Sequence, residues 1–313
     1  MFDTFNIWID GSKLKRQLLF NSLPYQLSNI SEHKKQSGEI WLSGNLKNYK
    51  VSISANGLRL VGSIAKYYLN DNLHTLSRGD TERAILSLEE GLKLSLLKAN
   101  VTRFDLGHNL IMNDIPETYF KFLGESQYYN RFIQKKSLYY SNSIRVKTFY
   151  NKVAECKAKG LLLPKEFINS NILRYELRYL KRATRQLKQT EINPGLLVNE
   201  TFYISLVTQW LKEFETIVKI NQVKINLRKM KKPPTEKDFF DQLLIQRINE
   251  IGQDNLLKMV DDLKTDKIYT HSVNYSRIKR KIKNLSNKPD LTEIPDNLEE
   301  LTNKIKSITR YFR

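Results

Sequence analysis

Cysteine is almost missing from this chain. Cys156 stands alone among 313 residues, which excludes an internal disulfide and any cysteine-built structural zinc site, and fits a reducing compartment. Long apolar runs are missing too. No stretch approaches the ~18 consecutive apolar residues of a membrane span, and the first residues, Met1-Phe2-Asp3-Thr4-Phe5, lack the basic start and apolar core of a signal peptide. Neither end shows a helix cleanly split into basic and apolar faces. The expectation is therefore a cytoplasmic protein with no membrane role. Acidic residues are scarce relative to basic ones: 33 Asp and Glu against 52 Lys and Arg leave a formal net charge of +19. An excess of that size points to a polyanionic partner, and its uneven placement argues against a merely solvated basic surface. Residues 131–188 hold 15 basic side chains and only three acidic ones, Glu155, Glu166 and Glu176.

The length suggests two domains. In the first part, β-branched and aromatic residues alternate with polar ones over residues 5–9, 39–43, 49–54 and 58–65, the pattern of short strands. Asn56-Gly57 tolerates positive φ and predicts a hairpin turn, so residues 44–64 read as part of an antiparallel meander. Asp80 offers an N-cap for a helix over 81–97, where Ala84, Ile85, Leu88, Leu92 and Leu96 recur at helical spacing. Three further strands are expected over 101–112, 138–153 and 171–182, with a helical segment from near Pro116 and a break at 160–164. Beyond Asn193-Pro194-Gly195, helical patterns cover 197–218, 236–262 and 298–311, linked by Lys231-Lys232-Pro233-Pro234 and a basic region over 264–288. The fold class expected is α+β, a central antiparallel sheet with packed helices over 1–190, followed by a basic helical domain over 191–313.

Three strands carry the chemistry. In Thr102-Arg103-Phe104-Asp105-Leu106-Gly107-His108, period-two alternation puts Arg103, Asp105 and Gly107 on one face. In Leu173-Arg174-Tyr175-Glu176-Leu177-Arg178-Tyr179 it puts Arg174, Glu176 and Arg178 together. Each strand thus shows a carboxylate flanked by arginine. On either strand alone this is equally the pattern of surface charges paired on a solvated sheet face. If the strands are neighbours, Asp105 and Glu176 could jointly hold a hard divalent ion bridging to a phosphate oxygen. The third strand adds Thr148, Tyr150 and Lys152 on a shared face. A phenolate is a nucleophile for phosphodiester chemistry, and a nearby lysine favours its ionisation and stabilises the developing phosphorane charge. Tyr150 by itself, one of 16 tyrosines, would read as a packing residue.

Taken in order, Thr-Arg-Phe-Asp-Leu (102–106), Phe-Tyr-Asn-Lys-Val-Ala-Glu (149–155) and Leu-Arg-Tyr-Glu-Leu-Arg (173–178) resemble the rolling-circle replication initiators of small plasmids and filamentous phages, above all the gene II-like replication proteins. The run Leu60-Val61-Gly62-Ser63-Ile64-Ala65-Lys66-Tyr67-Tyr68 is similar to a Gly-Ser-hydrophobic-x-Lys-Tyr stretch of that family, and the likeness spans residues 38–185. The resemblance implies a Rep-type, HUH-like nuclease fold and a metal-dependent single-strand endonuclease and strand transferase. Such an enzyme nicks one strand at an origin, stays joined to the 5′ side through a tyrosine, and leaves a 3′-hydroxyl for priming. Carried over, Tyr150 is the nucleophile, Lys152 its electrostatic helper, and Asp105, Glu176 and, more weakly, Glu155 the acids for Mg²⁺ or Mn²⁺. The His-hydrophobe-His metal motif is absent, the histidines being His33, His74, His108 and His271, so any metal site must rest on carboxylates. His108 alternates away from Asp105 and reads as a core or capping histidine. Asn151 stands where related plasmid initiators often carry Asp. Tyr179 is the rival nucleophile, although alternation sets it opposite Glu176 unless the strand bulges.

An initiator must grip phosphates and then hold a single strand, which calls for cations interleaved with aromatics. Residues 128–140 have that interleaving, which is also that of a basic sheet edge with aromatics turned inward. Arg103, Lys135, Lys136, Lys147, Arg174, Arg178, Lys181 and Arg182 are the DNA-contact candidates. Residues 219–232, with six basic and no acidic side chains, and 264–288 extend the basic surface, without a recognition-helix signature. The partners expected are origin duplex and single-stranded DNA, with host helicase and polymerase, and a homodimer stays open. Two other readings share this sequence: a mobilisation relaxase of the same chemistry, and a non-catalytic DNA-binding accessory protein or repressor.

Overall fold

The computed structural model describes the whole chain except residues 16–17, 224–232, 234, 289–290 and 313. The chain begins with β1 (Phe2–Asp10), then a meander of β2 (Ser28–Lys34), β3 (Ile40–Leu46), β4 (Tyr49–Ser54) and β5 (Gly57–Ser63). Two helices, α1 (Ile64–Leu69) and α2 (Arg78–Leu92), lead to the long β6 (Asn100–Met112). After α3 (Glu117–Phe120) come β7 (Leu123–Ser126), β8 (Asn130–Gln134), β9 (Ser137–Ser141), β10 (Arg145–Asn151), α4 (Lys152–Ala158) and β11 (Asn171–Tyr179). The remainder is α5 (Ala183–Gln186), α6 (Pro194–Val198), α7 (Glu200–Glu215), β12 (Ile217–Lys219), β13 (Gln222–Val223), α8 (Glu236–Ile251), α9 (Gln253–Thr265), α10 (Val273–Leu285), β14 (Thr292–Glu293) and α11 (Asp296–Tyr311).

Ten strands form one antiparallel sheet in the order β2-β3-β4-β5-β1-β6-β11-β10-β9-β8. The α+β class is as expected, and the condition for a shared site is met, for the three motif strands are adjacent, β11 lying between β6 and β10. Register fixes their faces. Tyr175 pairs with His108 and Phe149, and Tyr179 with Phe104 and Arg145, on the side where Tyr175 stacks flat on Phe149 with centroids 4.4 Å apart and donates its hydroxyl to the Trp210 carbonyl of α7 at 3.1 Å. The opposite face carries Arg174, Glu176 and Arg178 beside Asn109, Gly107 and Asp105.

Several local expectations shift. The turn between β4 and β5 is made by Ala55 and Asn56, because Gly57, at φ +148°, already pairs with Ser54. The N-cap of α2 is Ser77, three residues earlier than expected. Asp80 instead completes a capping box with it, and the helix closes at Leu92 with Lys93 in the left-handed region. The strand read over 138–153 is three elements: β9, β10 and then α4, whose N-cap Asn151 accepts a hydrogen bond from the Ala154 amide. The helix over 236–262 is split at Gly252, which adopts φ +89°. Most of the Lys231–Pro234 linker and of 219–232 lies outside the described residues.

The hydrophobic core does not stop at the boundary expected near 190. Leu206, Val207 and Trp210 of α7 and Leu298, Leu301 and Ile305 of α11 belong to the same buried cluster as Phe5, Phe104, Leu106 and Leu177. β12 also pairs with β7. A separate small core joins α8 and α10 through Ile245, Ile248, Leu285 and Leu291.

Candidate active site

The charged face of β6, β11 and β10 forms the floor of a polar cleft of 370 Å³. At its centre Glu176, buried, is saturated with donors. Its Oε1 accepts from Arg174 Nε at 2.6 Å and from the Tyr150 hydroxyl at 2.8 Å; its Oε2 accepts from Arg178 Nε at 2.9 Å and Nη2 at 2.6 Å. Gly107 pairs with Glu176 across the ladder and leaves the space these groups fill: a Cβ there would meet Arg174 Nη2 and Glu176 Cγ at 2.9 Å. Burial works to raise the Glu176 carboxyl, but Arg174 and Arg178 hold it well below the usual carboxylate range. Asp105, next to it, receives a fork from Arg103, 3.0 Å from Nε and 2.7 Å from Nη2, with Arg178 Nε 3.9 Å away. Its burial outweighs those arginines and pushes its carboxyl up to about 6.

The network runs on from Arg174, whose Nη2 reaches Asp3 of β1 at 2.7 Å. Asp3 in turn accepts from Ser63 at 2.5 Å and from Asn72 at 3.3 Å. Asn72 accepts from Lys152 Nζ at 2.8 Å, and that ammonium also pairs with Glu155 at 2.7 Å. Glu155 has a second partner in Lys159. Burial tends to raise Glu155, yet Lys152 and Lys159 hold it below its ordinary value, while burial pulls Lys152 down. Tyr150 is the one phenol in this chain of charges. Burial first, then Glu176, raises it well above the ordinary tyrosine value. Tyr150, with Glu155, Lys159 and Arg178, lines both the polar cleft and a second one of 350 Å³ that runs past Thr148, Asn151 and Lys136.

Residues 1–213 match a family model that describes the N-terminal part of a phage replication-associated protein. The chain belongs to this family. Among curated proteins, none matches it. The matched stretch of this replication-associated protein contains all ten strands of the large sheet and ends within α7.

Asp105, Tyr150 and Glu176 of this family member thus share one sheet face, as their alternation implied, and Arg103 and Arg178 stand at the cleft edge, each about 30 % exposed. Other candidates fall elsewhere. Lys152 is not on the Tyr150 strand face; it opens α4, and its Nζ lies 6.0 Å from the Tyr150 ring centroid. Arg174 is buried between Asp3 and Glu176, so it holds the site together rather than meeting solvent. Lys147 is buried on the opposite face, where it bonds Ser126 at 2.8 Å, Thr216 at 2.7 Å and Glu213 at 3.0 Å. It ties α7 to the sheet and cannot reach DNA. Tyr179 also faces that core, stacked on Phe104 with centroids 4.7 Å apart and far from Glu176, because the strand does not bulge. His108 is on the same side, edge-on to Phe312, with burial pulling its imidazole down to about 3. Lys135 and Lys136 are exposed at the β8–β9 turn, where Lys136 pairs with Glu117 at 2.7 Å; Lys181 and Arg182 are exposed beyond the other end of the site strands.

The donor set does not fit the expected divalent ion. Asp105, Glu176 and Glu155 are each neutralised by guanidinium or ammonium groups, and among the described residues no three His, Cys, Asp or Glu side chains are grouped to hold a metal. Sequence reasoning missed Asp3 and Asn72, which lie about 100 to 170 residues from Arg174. Gly62, Ser63 and Lys66, in the run similar to the family's Gly-Ser-hydrophobic-x-Lys-Tyr stretch, each have a place in this arrangement. Ser63 caps α1 and bonds Asp3, Gly62 leaves room for the Tyr49 ring, and Lys66 lines the cleft. No described helix is long and apolar enough to cross a membrane.

Proposed function

We propose that this protein initiates rolling-circle replication by nicking one DNA strand through Tyr150. The observation that carries the reading is the Tyr150 hydroxyl held 2.8 Å from the Glu176 carboxylate, at the wall of an open cleft edged by Arg103 and Arg178. Tyr150 attacks the phosphorus of a bound phosphodiester, and its proton passes to Glu176 Oε1. The bond to the 3′ oxygen breaks, that oxygen takes a proton from water, and the 5′ phosphate stays on the tyrosine. Reversal by a free 3′-hydroxyl reseals the strand. Arg103 and Arg178 are placed to meet the scissile phosphate. As they turn toward it they withdraw from Asp105 and Glu176, so Glu176 becomes a better base at the moment it must accept the proton. Arg174, fixed by Asp3, positions Glu176.

The test is nicking of supercoiled replicon DNA together with trapping of a labelled 5′ adduct on a denaturing gel. Tyr150→Phe is expected to lose the adduct and to slow nicking about 10⁴-fold or more. Adduct formation by the variant at the wild-type rate would end the assignment. A wild-type chain that binds the DNA without nicking it would instead favour a non-catalytic accessory role.

A further inference from the structure

The helices α8, α9 and α10 pack as a three-helix unit beside the sheet; α8 and α9 carry both signs of charge, α10 only one. α10, Val-Asn-Tyr-Ser-Arg-Ile-Lys-Arg-Lys-Ile-Lys-Asn-Leu, carries five cations and no acid. The acids of the unit are on α8 (Glu236, Asp238, Asp241, Glu250) and α9 (Asp254, Asp261, Asp262). Tyr275, Ile282 and Leu285 turn α10 inward, and the Tyr275 hydroxyl pins the α9–α10 connection by accepting from the Tyr269 amide at 2.8 Å. Two of its cations are used within the fold, Lys279 on Asp261 at 2.5 Å and Lys283 on Glu125 of β7 at 2.6 Å. The Lys283 contact and an Arg131–Asp254 pair fasten the unit to the sheet edge. Arg277, Arg280 and Lys281 remain. All three are exposed, none has an ion-pair partner among the described residues, and with Asn284 they fall at i, i+3, i+4 and i+7 on one side of a rigid helix.

We infer that this outer face of α10 is a docking surface for double-stranded DNA, seated in the major groove. A helix ~10–12 Å across matches a groove about 12 Å wide, and Arg and Asn side chains carry the donors and acceptors that read guanine and adenine edges there. Single-stranded DNA is a poorer fit, since gripping it needs exposed aromatic platforms and the sole aromatic residue of α10, Tyr275, is buried. A lipid surface fits less well still, for the exposed side has only Val273 as an apolar group. The sequence hid this helix because its cations lie in a region that is basic throughout, and burial alone separates the three outward ones from the rest. The inference deepens the nicking proposal, for it names where origin duplex would be held while Tyr150 acts.

The experiment uses the full chain and a fluorescein-labelled 30-base-pair duplex of random sequence, with its single strand as comparison, titrated by anisotropy between 50 and 200 mM NaCl. Three lost phosphate contacts should lower the slope of log affinity against log salt by about 2.7. That converts to roughly 100-fold weaker duplex binding near 0.15 M salt for the combined Arg277→Ala, Arg280→Ala, Lys281→Ala variant. Single-strand binding should change little. The charge-keeping variant Arg277→Lys, Arg280→Lys, Lys281→Arg should retain the wild-type slope, which guards against loss of fold as the cause. Unchanged duplex affinity and slope, an equal loss for the single strand, or a lowered slope in the charge-keeping variant would each overturn the inference. Tyr150→Phe should leave duplex binding intact, so continued nicking by that variant would remove the nucleophile assignment and leave this surface standing.

Discussion

Replacing Glu176 with Gln isolates the group on which the site is built. The carboxylate is buried and accepts four hydrogen bonds, one from Arg174, two from Arg178 and one from Tyr150. An amide of the same shape carries no charge and turns its NH₂ toward a guanidinium, so the only ionic partner left to Arg178 is Asp105 at 3.9 Å and the only one left to Arg174 is Asp3. Removing one partner of a buried ion pair costs about 3–5 kcal/mol, a large share of the 5–15 kcal/mol that holds a typical domain. By contrast Glu39→Gln, which removes the exposed Lys35–Glu39 pair, should cost less than about 1 kcal/mol. The pH dependence has a definite sign. The folded carboxyl titrates well below its unfolded value, so its stabilisation is complete above the unfolded value of about 4.3 and is lost as pH falls through the folded one. The gap between wild type and Glu176→Gln should therefore be constant from pH 8 to about 5 and close on further acidification. Urea unfolding followed by fluorescence, with buried Trp210 as reporter, measures it. A gap below about 1 kcal/mol at pH 7, or one that widens in acid, would refute the account of Glu176 as the charge that neutralises two arginines.

Two other perturbations probe the same face. Gly107→Ala puts a methyl group 2.9 Å from Arg174 and Glu176, and should cost about 1–3 kcal/mol and slow nicking; wild-type stability and rate together would show that the network yields freely. Asp105 behaves opposite to Glu176. Its folded value of about 6 lies above the unfolded one, so its contribution is present below about pH 4 and is lost as pH rises through 6. Asp105→Asn should remove roughly 3 kcal/mol of pH dependence between pH 4 and 7, read as the shift in urea midpoint, and parallel curves for the two proteins would contradict the burial argument.

Period-two alternation separated the charged face of each motif strand from its apolar face, and the register of β6, β11 and β10 then put Asp105, Tyr150 and Glu176 on one side of the sheet. The same rule held the correct place of Lys147 and Tyr179, both in step with Phe149 and Tyr175 toward the core. Counting Lys147 among DNA contacts set charge above periodicity. Lys152 was misplaced for a local reason: Asn151 caps a helix there, and a two-residue period does not survive a change of element. Asp3 and Asn72 were illegible because nothing local marks a residue whose partner comes from far along the chain, across β1, β6 and β11 for Asp3 and from the α1–α2 connection for Asn72. The carboxylates expected to hold a metal are already paired with cations. Sequence shows which carboxylates share a face with arginines but not that the arginines have already neutralised them.

The position of β11 between β6 and β10 has a consequence for biosynthesis. β6 and the β9–β10 hairpin leave the ribosome before β11, so the edge of β6 and the edge of β10 stay unpaired until residues 171–179 arrive. Asp105 and Tyr150 then belong to separate fragments, and Glu176, which joins them, is the last of the three to be made. The Tyr150–Glu176 hydrogen bond therefore waits for one strand to slide into the middle of a sheet already built on both sides, and insertion of β11 is the step that closes the network.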